Sequence, residues 1–227
     1  MEHPKISIAI DGPAGAGKSS VSKEVAKKLH YLYIDTGAMY RAVTWAVLDA
    51  GVDPSNQAAV EALLPELQLI MKPVDDTFQI EVKGVDITSL IRTQEINDTV
   101  STVASYKGVR QYLVERQRLM ARSGGVILDG RDIGSIVLPQ AELKIYLTAS
   151  VETRATRRWI EVHAVDRSVS LETIKESVEK RDYMDKHRDE SPLVCVDDAI
   201  VVDSSHLSFD ETVNRILSLV QERIKDE

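Results

Sequence analysis

Apolar residues fall along this chain in two alternating rhythms. Short, nearly continuous apolar runs occur at "KISIAI" (5–10), "YLYI" (31–34), "GVILDG" (125–130), "LKIYL" (143–147) and "AIVVD" (199–203). Such runs, lacking polar alternation, suit strands buried on both faces. Between them lie segments with helical spacing: in "KSSVSKEVAKKLH" (18–30), Val21, Val25 and Leu29 recur every fourth residue and form one apolar stripe. "AMYRAVTWAVLDAG", "VETRATRRWIEV" and "FDETVNRILSLVQERI" continue the alternation. Five short strands interleaved with helices predict an α/β fold, a parallel sheet flanked by helices on both faces. Residues 65–92 break the rhythm: "LQLIM", "FQIEV" and "VDITSL", with turn signals at "PVDD" and the "KG" of "VKGVD", predict a small antiparallel β insertion with too little apolar surface to be a domain.

Composition narrows the class further. With 227 residues, 43% of them hydrophobic, the chain can bury one sizeable core. A formal charge of −8 argues against generic binding to nucleic acid or an anionic membrane, so any anion site must be a local cluster of basic side chains. The single Cys195 excludes an internal disulfide, and the five histidines at 3, 30, 163, 187 and 206 lack the spacing of zinc ligands. There is no apolar run of about 18 residues, and "MEHPKISIAID" has no long apolar segment ending in a cleavage site, so a cytoplasmic, soluble protein is expected.

Chemistry enters at "GPAGAGKS", Gly12 to Ser19, which fits G-x-x-x-x-G-K-[ST] between a buried strand and an amphipathic helix. Backbone N–H groups must converge on phosphate oxygens there, which side-chain bulk and ordinary φ angles would prevent, and the helix N-terminus adds partial positive charge. Lys18 would reach the β- and γ-phosphates of a nucleoside triphosphate, and the Ser19 hydroxyl would bind Mg²⁺ directly or through water. Such a loop serves either hydrolysis or transfer to a small acceptor, and transfer needs a cationic acceptor pocket. Arg41, Arg110, Arg131, Arg181 and Arg188 are candidates for it, although any one arginine alone is more often a solvated surface residue. "VILDGRDIG" places Asp129, Arg131 and Asp132 at the carboxyl end of a strand, where α/β sheets bind ligands. Asp129 is a candidate carboxylate for hydrated Mg²⁺ or, on a plainer reading, a cap or turn residue. The run "EKRDYMDKHRD" (179–189) by default reads as a solvated mixed-charge face, but Arg181, Asp185 and Arg188 fall at i, i+4 and i+7, along one side of a helix.

Taken in order, "IDGPAGAGKSS", "YIDTGAMYR", "IRTQEIND", "LDGRDIGSIV", "ASVETRATRR" and "KRDYMDKHRDESPL" resemble the bacterial cytidylate kinases of the nucleoside monophosphate kinase family over nearly the whole chain. The resemblance implies a P-loop nucleoside monophosphate kinase fold with a five-stranded parallel sheet, the 65–92 insertion and a short helical LID. It further implies a CORE at about 1–36, 93–150 and 192–227, an NMP-binding region at about 37–92 and a LID at about 151–170. It implies ATP binding by Gly12, Pro13, Ala14, Gly15, Ala16, Gly17, Lys18, Ser19 and Ser20, with the LID residues Arg154, Arg157 and Arg158 facing the triphosphate. Ser101, Arg110 and Asp132 would address cytosine, Arg181 and Asp185 the ribose, and Thr36, Arg41, Arg131 and Arg188 the monophosphate and nearby charge. Lys18, Arg131, Arg158 and Arg188 would be catalytic, and Ser19 with Asp129 would hold Mg²⁺. The implied reaction moves the γ-phosphoryl group of ATP to CMP or dCMP, in a monomer. "GKSS" departs from relatives with threonine after the lysine, which keeps a hydroxyl but leaves the Mg²⁺ contact open. Other readings are a UMP/CMP or adenylate kinase, which "GRD" and the insertion disfavour, and a nucleotide-dependent switch, whose guanine-selecting N-K-x-D sequence is absent.

Overall fold

The computed structural model describes residues 5–74, 77–164 and 166–225. The two aspartates of the "PVDD" turn, position 165 of the LID segment and the first four residues read for a leader lie outside them. Strands β1 (Ser7–Asp11), β2 (Leu32–Asp35), β6 (Val126–Gly130), β7 (Leu143–Thr148) and β8 (Ile200–Asp203) form a parallel sheet in the order β2-β6-β1-β7-β8. The apolar runs are continuous because both faces are covered. Ala9, Ile34, Val126 and Leu128 join the core under helices α2 (Thr36–Asp49) and α5 (Lys107–Ala121). Ile8, Ile10, Ile127 and Ile145 point the other way, against α1 (Lys18–Leu29) and α8 (Phe209–Lys225).

The predicted insertion is a three-stranded antiparallel sheet of β3 (Ile70–Val74), β4 (Thr77–Val82) and β5 (Val85–Asp86). Its first strand begins later than "LQLIM" predicts. Leu67 and Leu69 are buried in the core and Gln68 turns through a left-handed backbone conformation, so the strand starts once those anchors are set. Pro73 sits in β3, an edge strand, where its missing N–H costs no ladder bond. Helices α3 (Gln57–Leu63) and α4 (Gln94–Val103), which the sequence reading did not delimit, join the insertion to the sheet side, and α4 packs on α2.

Beyond the sheet, α6 (Val151–His163) and α7 (Leu171–His187) pack against each other. One expectation is corrected here. Arg181 and Asp185 lie on α7, but Arg188 is the C-cap residue with extended backbone and does not continue the helical row. The chain reverses at this point: Leu193 N–H donates to the Asp185 carbonyl at 2.7 Å, and Ser191 has a φ of 50°.

Candidate active site

Three aspartates mark the carboxyl edge of the sheet. Asp11 ends β1 opposite Gly130, and Asp35 ends β2 opposite Asp129, which places them on neighbouring strands around the mouth of the glycine loop. Gly12 leaves β1 at φ 149°, where an added Cβ would meet the Leu147 carbonyl oxygen at 2.0 Å, so only glycine fits. Gly15 and Gly17 are left-handed, and Gly17 caps α1 without a side chain, leaving the first N–H groups of the helix facing the loop's interior. Lys18 is buried and donates to the Pro13 carbonyl at 2.7 Å. Burial, and then the like charge of Arg131, push its ammonium down to about 7. Ser20 lies exposed in the first turn of α1.

Ser19 and Asp129, paired by the sequence reading, do meet: Ser19 Oγ donates to Asp129 Oδ2 at 2.9 Å. Tyr33 O–H donates to the other carboxylate oxygen at 2.8 Å, and Thr36 Oγ1 donates to the Asp129 carbonyl at 2.7 Å. Burial and the nearby Asp35 raise the Asp129 carboxyl to about 6, against the lowering pull of Lys18. Among the described residues no cluster of three or more His, Cys, Asp or Glu could cage a metal ion. A carboxylate beside a hydroxyl at a phosphate loop fits Mg²⁺, which keeps most of its waters and takes phosphate oxygens as ligands.

Next to the loop lies a second cationic recess. Arg110 and Asp132 are both buried and form a direct ion pair, with Arg110 also donating to the Ala104 carbonyl at 3.0 Å and lying 5.3 Å over the Tyr40 ring. Arg131 Nε donates to Asp185 Oδ2 at 2.7 Å, and Arg188 reaches Asp185 at 4.0 Å. Burial alone would raise the Asp185 carboxyl, but Arg131 and Arg181 hold it below its ordinary value. Arg181 is depressed to about 10 by burial and by the like charges of Arg131, Arg41 and Arg158. Arg41 and Arg92 converge on Asp35 at 3.1 and 3.3 Å. Among the described residues, several donors of this cluster find no partner: Arg41 Nε, Arg110 Nε, Arg181 Nε, Arg188 Nη2 and the Tyr40 hydroxyl. Ser101 is half-buried on α4.

The arginines of α6 separate. Arg158 pairs with Glu161 at 2.9 Å on a partly exposed face. Arg157 donates to Ser204 Oγ and to its carbonyl, and lies 4.0 Å from where a Gly17 Cβ would stand, beside the loop. Arg154 is buried beneath the loop, with each of its three guanidinium nitrogens bonded to a protein group. The sequence reading missed Asp11, Tyr33, Asp35, Tyr40, Arg92 and Asp182. The rule that singled out Asp129, a carboxylate at the end of a parallel strand, would have found Asp11 and Asp35 as well. Nothing in "EKRDYMDKHRD" distinguishes Asp182 from its charged neighbours.

A phosphate loop at the helix start after β1, with a buried cationic recess beside it, defines a P-loop kinase. The chain agrees with known proteins at that level and below it. The family model described as Cytidylate kinase matches residues 8–222. A cytidylate kinase of Ligilactobacillus salivarius (strain UCC118) is 48% identical over 96% of this chain and 98% of its own length. Those of Bacillus licheniformis and Listeria innocua are 47% and 48% identical, over 96% and 98% of this chain and 97% and 99% of theirs. The solved structure of an uncharacterized protein from Eubacterium ventriosum ATCC 27560 overlays with a TM-score of 0.50 at 12% identity, covering 99% of this chain and 100% of that one, a likeness of fold alone. The chain belongs to the cytidylate kinase family.

Proposed function

We propose that this kinase transfers the γ-phosphoryl group of ATP to CMP or dCMP, giving ADP and CDP or dCDP. The observation that carries the reading is the recess beside the glycine loop. Its buried donors that find no partner among the described residues sit on Arg41, Arg110, Arg181 and Arg188, four of the residues expected at the acceptor nucleotide. Burying such groups is costly unless a ligand satisfies them.

The acceptor phosphate is already anionic at neutral pH, so the reaction needs no general base. Its obstacle is the approach of two polyanions, in which two unit charges about 4 Å apart repel by roughly 4 kcal/mol at an effective dielectric of 20. Lys18, Arg131, Arg188 and Arg158 offset that repulsion and orient the phosphates in line. Ser19 and Asp129 would hold Mg²⁺, which when bound neutralises charge between the β- and γ-phosphates. For the base, Asp132 would accept from the N4 amine of cytosine, where uracil presents an oxygen, while Arg110 holds that carboxylate in place. We read the region 37–92 as the acceptor-binding part, 151–170 as the LID, and the working unit as a cytoplasmic monomer.

Coupled ADP-release assays with CMP, dCMP, UMP, AMP and no acceptor test the reading. Turnover with CMP and dCMP well above UMP and AMP is expected. Equal turnover without acceptor would overturn it in favour of a hydrolase.

A further inference from the structure

We propose that Arg154 and Asp182 form a positioning brace that fixes the phosphate loop relative to α7 and thereby sets donor against acceptor, without touching either nucleotide. The inference rests on the transfer reaction proposed above.

Arg154 enters the protein near the start of α6 and is 3% exposed. Its Nε donates to the Ala149 carbonyl at 2.9 Å, which anchors the guanidinium to the end of β7 and the turn into α6. Nη1 donates to the carbonyl of Ala14, inside the glycine loop, at 3.0 Å and to Asp182 Oδ1 at 3.0 Å, while Nη2 donates to Asp182 Oδ2 at 2.6 Å. The fork is bidentate, as only a guanidinium permits. The loop also rests on this residue: a Cβ at Gly15 would stand 3.3 Å from Arg154 Cβ. With every nitrogen engaged by protein and the stem under the loop, Arg154 supports the donor site from below.

Asp182 carries the connection onward. It immediately follows Arg181 on α7 and stands three residues before Asp185, which receives Arg131 Nε at 2.7 Å. A continuous path therefore runs from the Ala14 carbonyl through Arg154 and Asp182 to α7, and from Asp185 to the "GRD" turn. Its two ends are the loop proposed for ATP and the cluster proposed for CMP. In-line transfer demands that these ends be held to within a fraction of an ångström.

The test uses Asp182→Asn and Arg154→Lys in the full chain, singly and together, with kcat, both KM values, the Kd of CMP alone by calorimetry, and amide exchange across residues 12–17. For a brace, kcat falls about 10- to 100-fold in each single variant and little further in the double. KM for both nucleotides and the Kd for CMP stay within about threefold, and the loop amides exchange faster. A rise of tenfold or more in KM for ATP in Arg154→Lys alone, with Asp182→Asn near wild type, would make Arg154 an ATP ligand and overturn the brace. A lowered melting temperature with unchanged kcat and unchanged loop exchange would reduce the pair to a fold-stabilising contact and overturn it equally. If Asp182→Asn does not fold, Arg154→Lys is read by the same criteria. If the wild-type chain does not phosphorylate CMP, the proposed reaction fails, while loop exchange still decides for or against the brace.

Discussion

Asp132 is a buried carboxylate paired with Arg110, and the proposed reading has it accept from the cytosine amine. Asp132→Ala is expected to lower CMP-over-UMP discrimination about 10- to 100-fold, by the roughly 1–3 kcal/mol of an unpaired polar group, while changing KM for ATP far less. Initial-rate assays with both nucleotides measure it, and unchanged selectivity would remove the assignment. Asp11 offers a different kind of test. Its two oxygens accept from Ile133 and Gly134 N–H at 2.8 and 2.7 Å, capping the short π-helical turn that follows Asp132, yet burial raises its pKa to about 6. The folded state then holds a proton that the unfolded chain, with its carboxyl near 3.8, releases. Asp11 therefore favours folding below about pH 4, and that contribution is lost as pH rises to about 6. Urea titrations from pH 4 to 7 should show a flatter loss of stability in Asp11→Asn than in wild type. Gly12→Ala, forced into the Leu147 carbonyl, is expected to cost about 1–3 kcal/mol or more in the same assay.

At the scale of elements, periodicity reached the five strands because burial on both faces writes continuous apolar runs, and four of the helices because one buried face writes a stripe. It failed where a segment's role changes without a change of composition. "LQLIM" is apolar throughout, but its leucines plug the core and only its last residues pair as a strand. Likewise the charged run at the end of α7 contains three kinds of residue: Asp185 facing the arginines, Asp182 paired with Arg154, and exposed Glu179, Lys180, Lys186 and, past the helix, Asp189. Side-chain direction relative to a distant segment separates them, and no single sequence records it. The glycine loop and the "GRD" turn were legible because their residue types are fixed by backbone geometry and charge. Local capping is also simple to test: the Ser150 side chain accepts from Thr153 N–H at 3.1 Å at the start of α6. Ser150→Ala should destabilise the protein by about 1 kcal/mol, read as a shift in urea midpoint at unchanged slope.

Over the whole molecule, a chain of net charge −8 still gathers Lys18, Arg41, Arg131, Arg158 and Arg181 close enough to act on one another. With the acceptor absent, water reaching an aligned triphosphate would waste it, so the proposed reading requires the α6 segment to align its cations only when both nucleotides are present. ATP hydrolysis without CMP is expected to run at least about 100-fold slower than CMP phosphorylation, as followed by phosphate release. Comparable rates would count against a kinase that depends on acceptor binding.

The pairing of Arg41 and Arg92 with Asp35, and of Arg131 with Asp185, means that the recess already contains internal rivals for any phosphate that enters. On the proposed reading, nucleotide affinity is the difference between two ion pairings, and the internal pairs lower it. For a kinase that must release its product at every turnover, such pairs would make the protein's own carboxylates agents of release.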